Sequence, residues 1–588
     1  MKKRYFLLAL MLTLCLAVFV SCSCSHRDAN DDDKCDKCDE SYTDGVDICN
    51  HRDANDDNLC EYCGEAFADG SDISIEIWND HTPIKIKTTA NSNNKELPST
   101  CARYLAGELT QEEKYNDYDN IDIMIARRNN AAYANNAVNV SFEYFPEGDS
   151  YSWAKTINVI ANEILSGKTD RSDIYYNFSY DMIAASFKGC FKNLYATSSV
   201  KGGFSFLKEG YEDTGEGYMY EYMRSTTLSD RRLYLIASDY FIDTFRAATV
   251  VPVNLSLLES IPVSADTENA YNSDRNGDGR FSLEDLYSLV MAGEWNYSTL
   301  ADFSAGISAI YGPATDLNGT VGFALSMFPH AAMGMVYSSG VRILQRGEDG
   351  LYYYPESCPQ LSELCDALTS LFTGNEGVIT VDGTQCFLYG PSANFAIRSR
   401  FAEGRVLFGD VVLLGSLERD EYKDMKDGYG VLPVPLYRAT NPETGKPDSY
   451  NTQINRLGKL AAIAVNTEHL EAAVKFLEYQ SVNSTRILEE YFHQRHGLYA
   501  DGVNRNGEML KYIRKSVGFN LDVMVEDTSG FYWTTPSVEA KHVKLYENIQ
   551  MADYRLTGEE MTEIYEELYA DKVRWLSELR KILNYFPE

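Results

Sequence analysis

The sequence predicts an α/β chain of two large lobes that carries a small, cysteine-rich segment ahead of them. Three observations predict it. Strand-like and helix-like stretches alternate through the body after residue 83, the pattern of helices laid on sheets. The chain is 588 residues long and 44% hydrophobic, enough for two sizeable cores at roughly 100–200 residues per domain. Residues 24–70 form a duplicated module with too few apolar residues to fold around a core of its own.

The first 21 residues read as an export signal. Lys2, Lys3 and Arg4 precede an apolar run from Tyr5 to Val20 of about 15 residues, short for a membrane span and placed where a signal peptide has its apolar region. The run ends in Phe19-Val20-Ser21-Cys22. A small residue directly before a cysteine resembles the lipobox of bacterial lipoproteins. It implies cleavage before Cys22, acylation of that thiol, and a location on the outer face of the cell membrane. Phe19 stands where lipoboxes usually have Leu. An ordinary secretory signal cut nearby is the alternative.

Residues 22–70 hold the two repeats. Cys24, His26, Cys35 and Cys38 map onto Cys49, His51, Cys60 and Cys63 in a C-x-H-x8-C-x2-C spacing. Three thiolates and an imidazole complete a tetrahedral shell for Zn2+, so the segment reads as metal-stabilised. Disulfides among the six cysteines are the alternative outside the cell. Asp28, Asn30 and Asp32, and again Asp53, Asn55 and Asp57, alternate like the opening of a calcium loop. The glycine usual at the sixth position is replaced by Asp33 and Asn58, so a solvated acidic turn reads as well there.

Residues 71–82 read as a linker. The body then gives a strand over 84–88, a helix over 121–137, a strand from Val138 and a helix over 151–166. Further strands are expected at 233–238, 249–254 and 431–436, and helices at 468–480 and 559–585. Between them, DRNGDGRFSLED runs from Asp274 to Asp285. Asp274, Asn276, Asp278, Ser282 and Asp285 occupy positions 1, 3, 5, 9 and 12 of an EF-hand-like loop; Gly279 makes its turn and Arg280 offers a backbone carbonyl. Calcium needs six to eight oxygens on a tightly turned chain, which this loop supplies. No helix leads in, so it reads as a structural Ca2+ clip and not a switch.

Net charge is -34, which repels phosphate backbones and argues against a nucleic-acid partner. Tyr is frequent at 42 residues, and its flat apolar ring with a polar tip suits sugar clefts as well as cores. Five of the 13 cysteines, Cys101, Cys190, Cys358, Cys365 and Cys386, lie in the body, and an odd number leaves at least one unpaired. There is no G-x-S-x-G, H-E-x-x-H or P-loop signature, and no enzymatic activity is expected.

Several segments in order resemble the bacterial extracellular solute-binding proteins, family 1, that serve sugar-importing ABC systems. They are NDYDNIDIMIARRN followed by VNVSFEY, then RRLYLIASDYF with FRAATVVPVNLSLLESI, AGEWNYSTLADF around Trp295, FAEGRVLF from Phe401, and YGVLPVPLY before GKLAAIAVNTEHLEAAVKFLEYQ. The family's usual Asn-Lys pair is here Asn254-Leu255. The resemblance implies a two-lobed periplasmic-binding-protein-like fold (type II) with hinge crossovers. Lobe 1 would take 83–250 and 410–482, and lobe 2 would take 251–409 and 483–588. It implies a monomer that captures a solute, an oligosaccharide by default, and delivers it to an ABC permease. Sugar sites use flat aromatics and charged or amide groups, which makes Asp239, Tyr240, Trp153 and Trp533 the candidate ligand contacts, with Trp295 packing beneath its own helix. A calcium-clipped glycan-active enzyme or an adhesive surface protein are the alternative functions.

Overall fold

The computed structural model describes residues 81–89, 120–145, 153–166, 171–212, 216–266, 270–327, 329–382, 392–425, 428–497, 499–500, 503–522, 548–549 and 552–584. Cys22, both repeats and Trp533 lie outside the described residues.

The chain opens with β1 (Thr82–Thr88), whose alternation buries Ile84 and Ile86 and turns Lys85 and Lys87 to the other face. Helix α1 (Asn120–Asn136) leads into β2 (Val138–Tyr144), and α2 (Trp153–Leu165) leads to β3 (Ile174–Phe178). All three strands are parallel, with β1 in the middle. β3 runs into α3 (Ser179–Phe187). The expected strand over 233–238 is reduced to two isolated bridges, Ile236 to Ala461 and Ser238 to Tyr218.

β4 (Thr249–Asn254) then leaves this sheet and enters a second. Helix α4 (Leu283–Met291) and α5 (Tyr297–Tyr311) precede β5 (Val321–Ser326), and α6 (Pro329–Ser338) follows it. A short hairpin pairs β6 (Gln345–Arg346) with β7 (Tyr352–Tyr353). Next come α7 (Pro359–Gly374), β8 (Val378–Val381), α8 (Ala393–Ala402) and β9 (Val406–Phe408). β5 is parallel to both β8 and β9, while β4 lies antiparallel to β9. Beyond β9 the chain continues along β4 as β10 (Val412–Leu413), and on its other side β4 pairs with β11 (Tyr429–Leu432). β11 stops before Pro433, which has no N–H to give a ladder, so the expected 431–436 strand is cut short.

The chain returns through β12 (Thr452–Gln453) to β13 (Lys459–Ile463), which completes the first sheet antiparallel to β3. The return was expected at 410. Because β10 and β11 pair with β4, residues 410–432 belong to the second sheet, and the crossing comes only near 453–456. Helix α9 (Leu470–Val482) packs on α1 of the first lobe. Helix α10 (Thr485–His496), expected in the second lobe, touches α1 as well as residues 414–418 and so straddles both. A small hairpin of β14 (Tyr499–Ala500) and β15 (Val503–Asn504) leads to α11 (Arg505–Arg514). β16 (Val517–Gly518) then pairs with β12, and the long α12 (Gly558–Asn584) packs on α7.

Trp295 is fully buried at the entry to α5, where its Nε1 donates to Pro433 O at 2.9 Å and its ring meets Phe303 and Phe408. It packs beneath its own helix, as expected. Cys190, Cys358 and Cys365 are buried free thiols, so the Cys358–Cys365 bridge that their spacing allows is not made.

Candidate functional site

The two sheets have the same strand order. In the first it is β2, β1, β3 and then β13; in the second it is β8, β5, β9 and then β4. Each has its second, first and third strands parallel, and each takes its fourth, antiparallel strand from the chain as it arrives from the other lobe. The fourth strands also fix which ends meet. Lys459, where β13 enters the first sheet, lies opposite Phe178, the last residue of β3. In the second sheet Gly409 N–H, just past the end of β9, donates to Pro252 O within β4 at 2.9 Å, and Val412 and Leu413 beyond it pair with Val250 and Thr249 at the start of β4. The carboxyl ends of the parallel strands in both lobes therefore border the crossing segments.

Those segments run side by side. Ala248 bridges Ile454, Asn455 N–H donates to Ala247 O at 2.8 Å, and Ile454 N–H donates to Gly518 O at 2.8 Å. Open α/β sheets bind ligands beyond the carboxyl ends of their strands, where neighbouring connections diverge. For a 2-1-3 order that point lies between β1 and β3, and between β5 and β9.

In the second lobe this point holds Ser326, the last residue of β5, and Asp410, two residues beyond β9. Asp410 is 2% exposed, and its Oδ1 accepts the Ser326 N–H at 2.9 Å. Its other oxygen is buried beside the Ser326 hydroxyl and the Val411 backbone, which also hold the carboxyl down. Tyr554, held at a left-handed φ of 59°, donates from its hydroxyl to Ser326 O at 2.8 Å. Burial pushes the Asp410 carboxyl up to about 7, against the hydrogen bond from Ser326.

In the first lobe the matching point holds the Thr88 hydroxyl, buried at the end of β1 without a partner, and Asp181, three residues beyond β3. Asp181 is 1% exposed. Its Oδ2 accepts from Thr156 Oγ1 at 2.5 Å and from Asn177 Nδ2 at 3.4 Å, while its Oδ1 has no partner. Burial pushes this carboxyl to about 8, with the Thr156 bond opposing. The strand-end residues 88–89, 144–145, 178–180, 326–327, 381–382 and 408–410 include no Lys, Arg or His.

The candidates read from sequence fare differently. Asp239 has no exposed side-chain surface: one oxygen accepts from Gly217 N–H at 2.8 Å and Thr485 Oγ1 at 2.6 Å, and the other takes an Arg514 guanidinium. It is a cross-tie between three segments, with both oxygens engaged by them. Tyr240 is 2% exposed, packed on Tyr176 and Phe241 with the Arg128 guanidinium 4.5 Å from its ring centre. Neither presents a surface to a solute. Trp153 opens α2 at the carboxyl edge of the first sheet. Asp181 and Asp410 went unread because β3 and β9 were not identified from sequence; an acid just after a strand was the signal, and it was applied only to Asp239.

The 274–285 loop has the backbone of an oxygen-lined turn. Gly277 and Gly279 sit at φ 79° and 80°, conformations that a side chain would strain. Asp274 accepts from Gly277 and Gly279 N–H at 2.7 Å, and Arg280 N–H donates to Asp278 at 2.9 Å. Asp285 is fully buried and accepts from Arg275 N–H at 2.7 Å and from Ser282 N–H at 2.8 Å, closing the loop on the start of α4. Among the described residues no three His, Cys, Asp or Glu side chains stand close enough to share a metal. A calcium shell here would draw on Asn276, Ser282 and the Arg280 carbonyl beside the carboxylates. Nor, among the described residues, is any helix long and apolar enough to cross a membrane.

No protein-family model and no curated protein matches the chain. Solved structures similar to it include the GacH receptor of Streptomyces glaucescens, solved unliganded and with acarbose, at 13% identity and TM-score 0.41 over 86% of this chain and 100% of that one. A family 1 extracellular solute-binding protein from Bifidobacterium longum subsp. infantis is similar at 12% identity and TM-score 0.45, over 83% and 99%. UgpB from Mycobacterium tuberculosis, in complex with glycerophosphocholine, is similar at 13% identity and TM-score 0.43, over 86% and 99%. At such identity and TM-score the likeness decides nothing about this chain, and its own strand order has to speak for it.

Proposed function

We propose that this protein captures a polar solute, an oligosaccharide by preference, between its two lobes and delivers it to an ABC-type permease without transforming it. One observation carries the reading: the exchange of fourth strands, which sets the carboxyl edges of two like sheets on either side of one pair of hydrogen-bonded crossing segments. Two lobes joined by a few backbone segments can close on a ligand and desolvate it from both sides.

The remaining parts fit around this body. Acylated Cys22 would hold the protein beside its permease, the repeats would act as a Zn2+-stiffened or disulfide-bonded spacer, and the 274–285 loop would take Ca2+ as a clip. Thermal-shift screening of the protein against neutral oligosaccharides tests the central claim. A saccharide that raises the melting temperature supports it, and a flat response to every sugar removes the carbohydrate assignment. Cys22→Ser should release the protein from the membrane fraction; retention there would remove the lipid anchor from the picture.

A further inference from the structure

We infer that the protein has a second ligand site, a groove between α10 and α11 that takes a short apolar peptide with both termini free. It goes beyond the capture reading above and does not depend on it, because none of the residues lining the groove belongs to the strand ends.

The two helices run antiparallel and are tied at both ends. At one end Asp239 accepts from Thr485 Oγ1, at the start of α10, and from Arg514, at the end of α11. At the other end Asn506, in the first turn of α11, donates from Nδ2 to the carbonyl of His496, the last residue of α10, at 2.8 Å. Midway, Lys511 pairs with Glu489 at 3.2 Å. The groove between them has a volume of about 350 Å³. Its floor is apolar and is made by Phe245, Leu488, Phe492 and Leu510, with the rings of Phe245 and Phe492 edge to face at 5.1 Å. A small concave site with an apolar floor and a few polar groups at its rim is the usual form of a ligand pocket.

The rim is polarised along its length. The antiparallel order puts Arg486, near the start of α10, at the same end as Arg514, and puts Glu508, near the start of α11, at the far end across from His493. Most of the rim charges are matched within the protein. Arg514 is taken by Asp239, Lys511 by Glu489, and Glu490 by His493 and Gln494. Arg486 and Glu508 are exposed and make no ion pair among the described residues. Arg486 also stands in the first turn of α10, where the helix dipole is positive, so its charge is held against the field of its own helix. An anion at that end would meet Arg486 and the helix terminus together.

These features select the ligand. It needs an anion for Arg486, a cation for Glu508 and an apolar body for the floor between them. Arg486 and His493 are about two turns apart, or about 10 Å along α10. An extended tripeptide spans roughly the same length at about 3.4 Å per residue. Its carboxylate would reach Arg486, its ammonium Glu508, and its side chains the phenylalanine and leucine floor. A fatty acid supplies the anion and the apolar body without the cation, and a neutral sugar supplies neither charge.

The test is titration calorimetry on the full-length protein at pH 7 and low ionic strength. The probes are trileucine, its N-acetyl form, its C-terminal amide, triglycine and octanoate. Trileucine should bind at one site per chain. Each blocked form and octanoate should bind about fivefold more weakly, the scale of one exposed ion pair, and triglycine should not bind. Arg486→Gln should abolish the preference for trileucine over its amide and leave the preference over the acetyl form. Glu508→Gln should do the reverse. Both side chains are exposed, and circular dichroism checks that each variant folds.

Failure of trileucine to bind overturns the inference. So does equal binding of the blocked forms or of octanoate, or a preference that neither variant changes. Displacement of trileucine by a saccharide, one for one, also overturns it, because the peptide would then lie in the cleft between the lobes. None of these outcomes counts against solute capture, whose own test uses sugars.

Discussion

The two sheets share a strand order and differ in how their central strands are covered. All six residues of β5 are buried, whereas β1 buries its isoleucines and leaves Lys85 and Lys87 partly exposed beside Glu143, with Glu163 on Lys87. Helix α5 lies so close over β5 that a Cβ on Gly322 would stand 2.2 Å from Ser304 Cα, backbone against side chain with no flexible group to yield. The same place in the same topology is thus taken by the tightest backbone approach in one lobe and by partly solvated ion pairs in the other. Strand order sets where a site can form. Local covering sets how much change each lobe tolerates around it.

That contrast can be broken most directly at Gly322. Gly322→Ala should cost about 3 kcal/mol, read as a lower urea midpoint, because α5 must move away from β5. If the variant is as stable as the wild type, the close approach has no energetic weight. The 274–285 loop, proposed above to take Ca2+, sharpens the contrast, since it lies in the second lobe. Saturating Ca2+ should raise stability by about 2.7 kcal/mol at a hundredfold excess over Kd, and Asp274→Ala should abolish the gain. An equal melting temperature with Ca2+ and with a chelator would dismiss the clip.

Asp410 tests the lobe's interior in the other direction. Its folded-state carboxyl, near 7, lies above the value near 3.8 expected when unfolded, so the folded chain holds the proton more tightly. The stability tied to that proton is complete below pH 4 and is lost as pH rises through 7. Asp410→Asn should therefore be roughly 1–3 kcal/mol more stable than the wild type at pH 8 and no better at pH 4. A gain of the same size at both pH values would deny the raised carboxyl. The smallest effect belongs to the first lobe: Lys85→Gln should cost about 0.5 kcal/mol, because its pair with Glu143 is screened by solvent. A loss as large as that of Gly322→Ala would erase the difference between the lobes.

Much of the frame was legible in the sequence. The 249–254 strand, the strand beginning at Val138 and the helices near 121–137 and 559–585 all appear within a residue or so of their expected bounds. Their alternation and length are local properties, and local properties are what periodicity reports. The fate of the return crossing was not local. Residues 412–413 and 429–432 look like strands of either sheet, and only pairing with β4 assigns them to the second. The site was harder still. Asp239 carried the obvious signal of an acid after an apolar run, yet Gly217, Thr485 and Arg514 arrive from three distant segments and consume it. Asp181 and Asp410 looked like ordinary acids until the sheets placed them at equivalent ends.

The exchanged fourth strands also set an order of assembly. While the chain is being made, β1, β2 and β3 exist long before β13, so the edge of β3 stays open until residues 459–463 arrive. An open edge is a template for another chain. Fragments ending short of Lys459 should accordingly pair with one another and precipitate, and the first lobe can reach its finished form only after the second has been made.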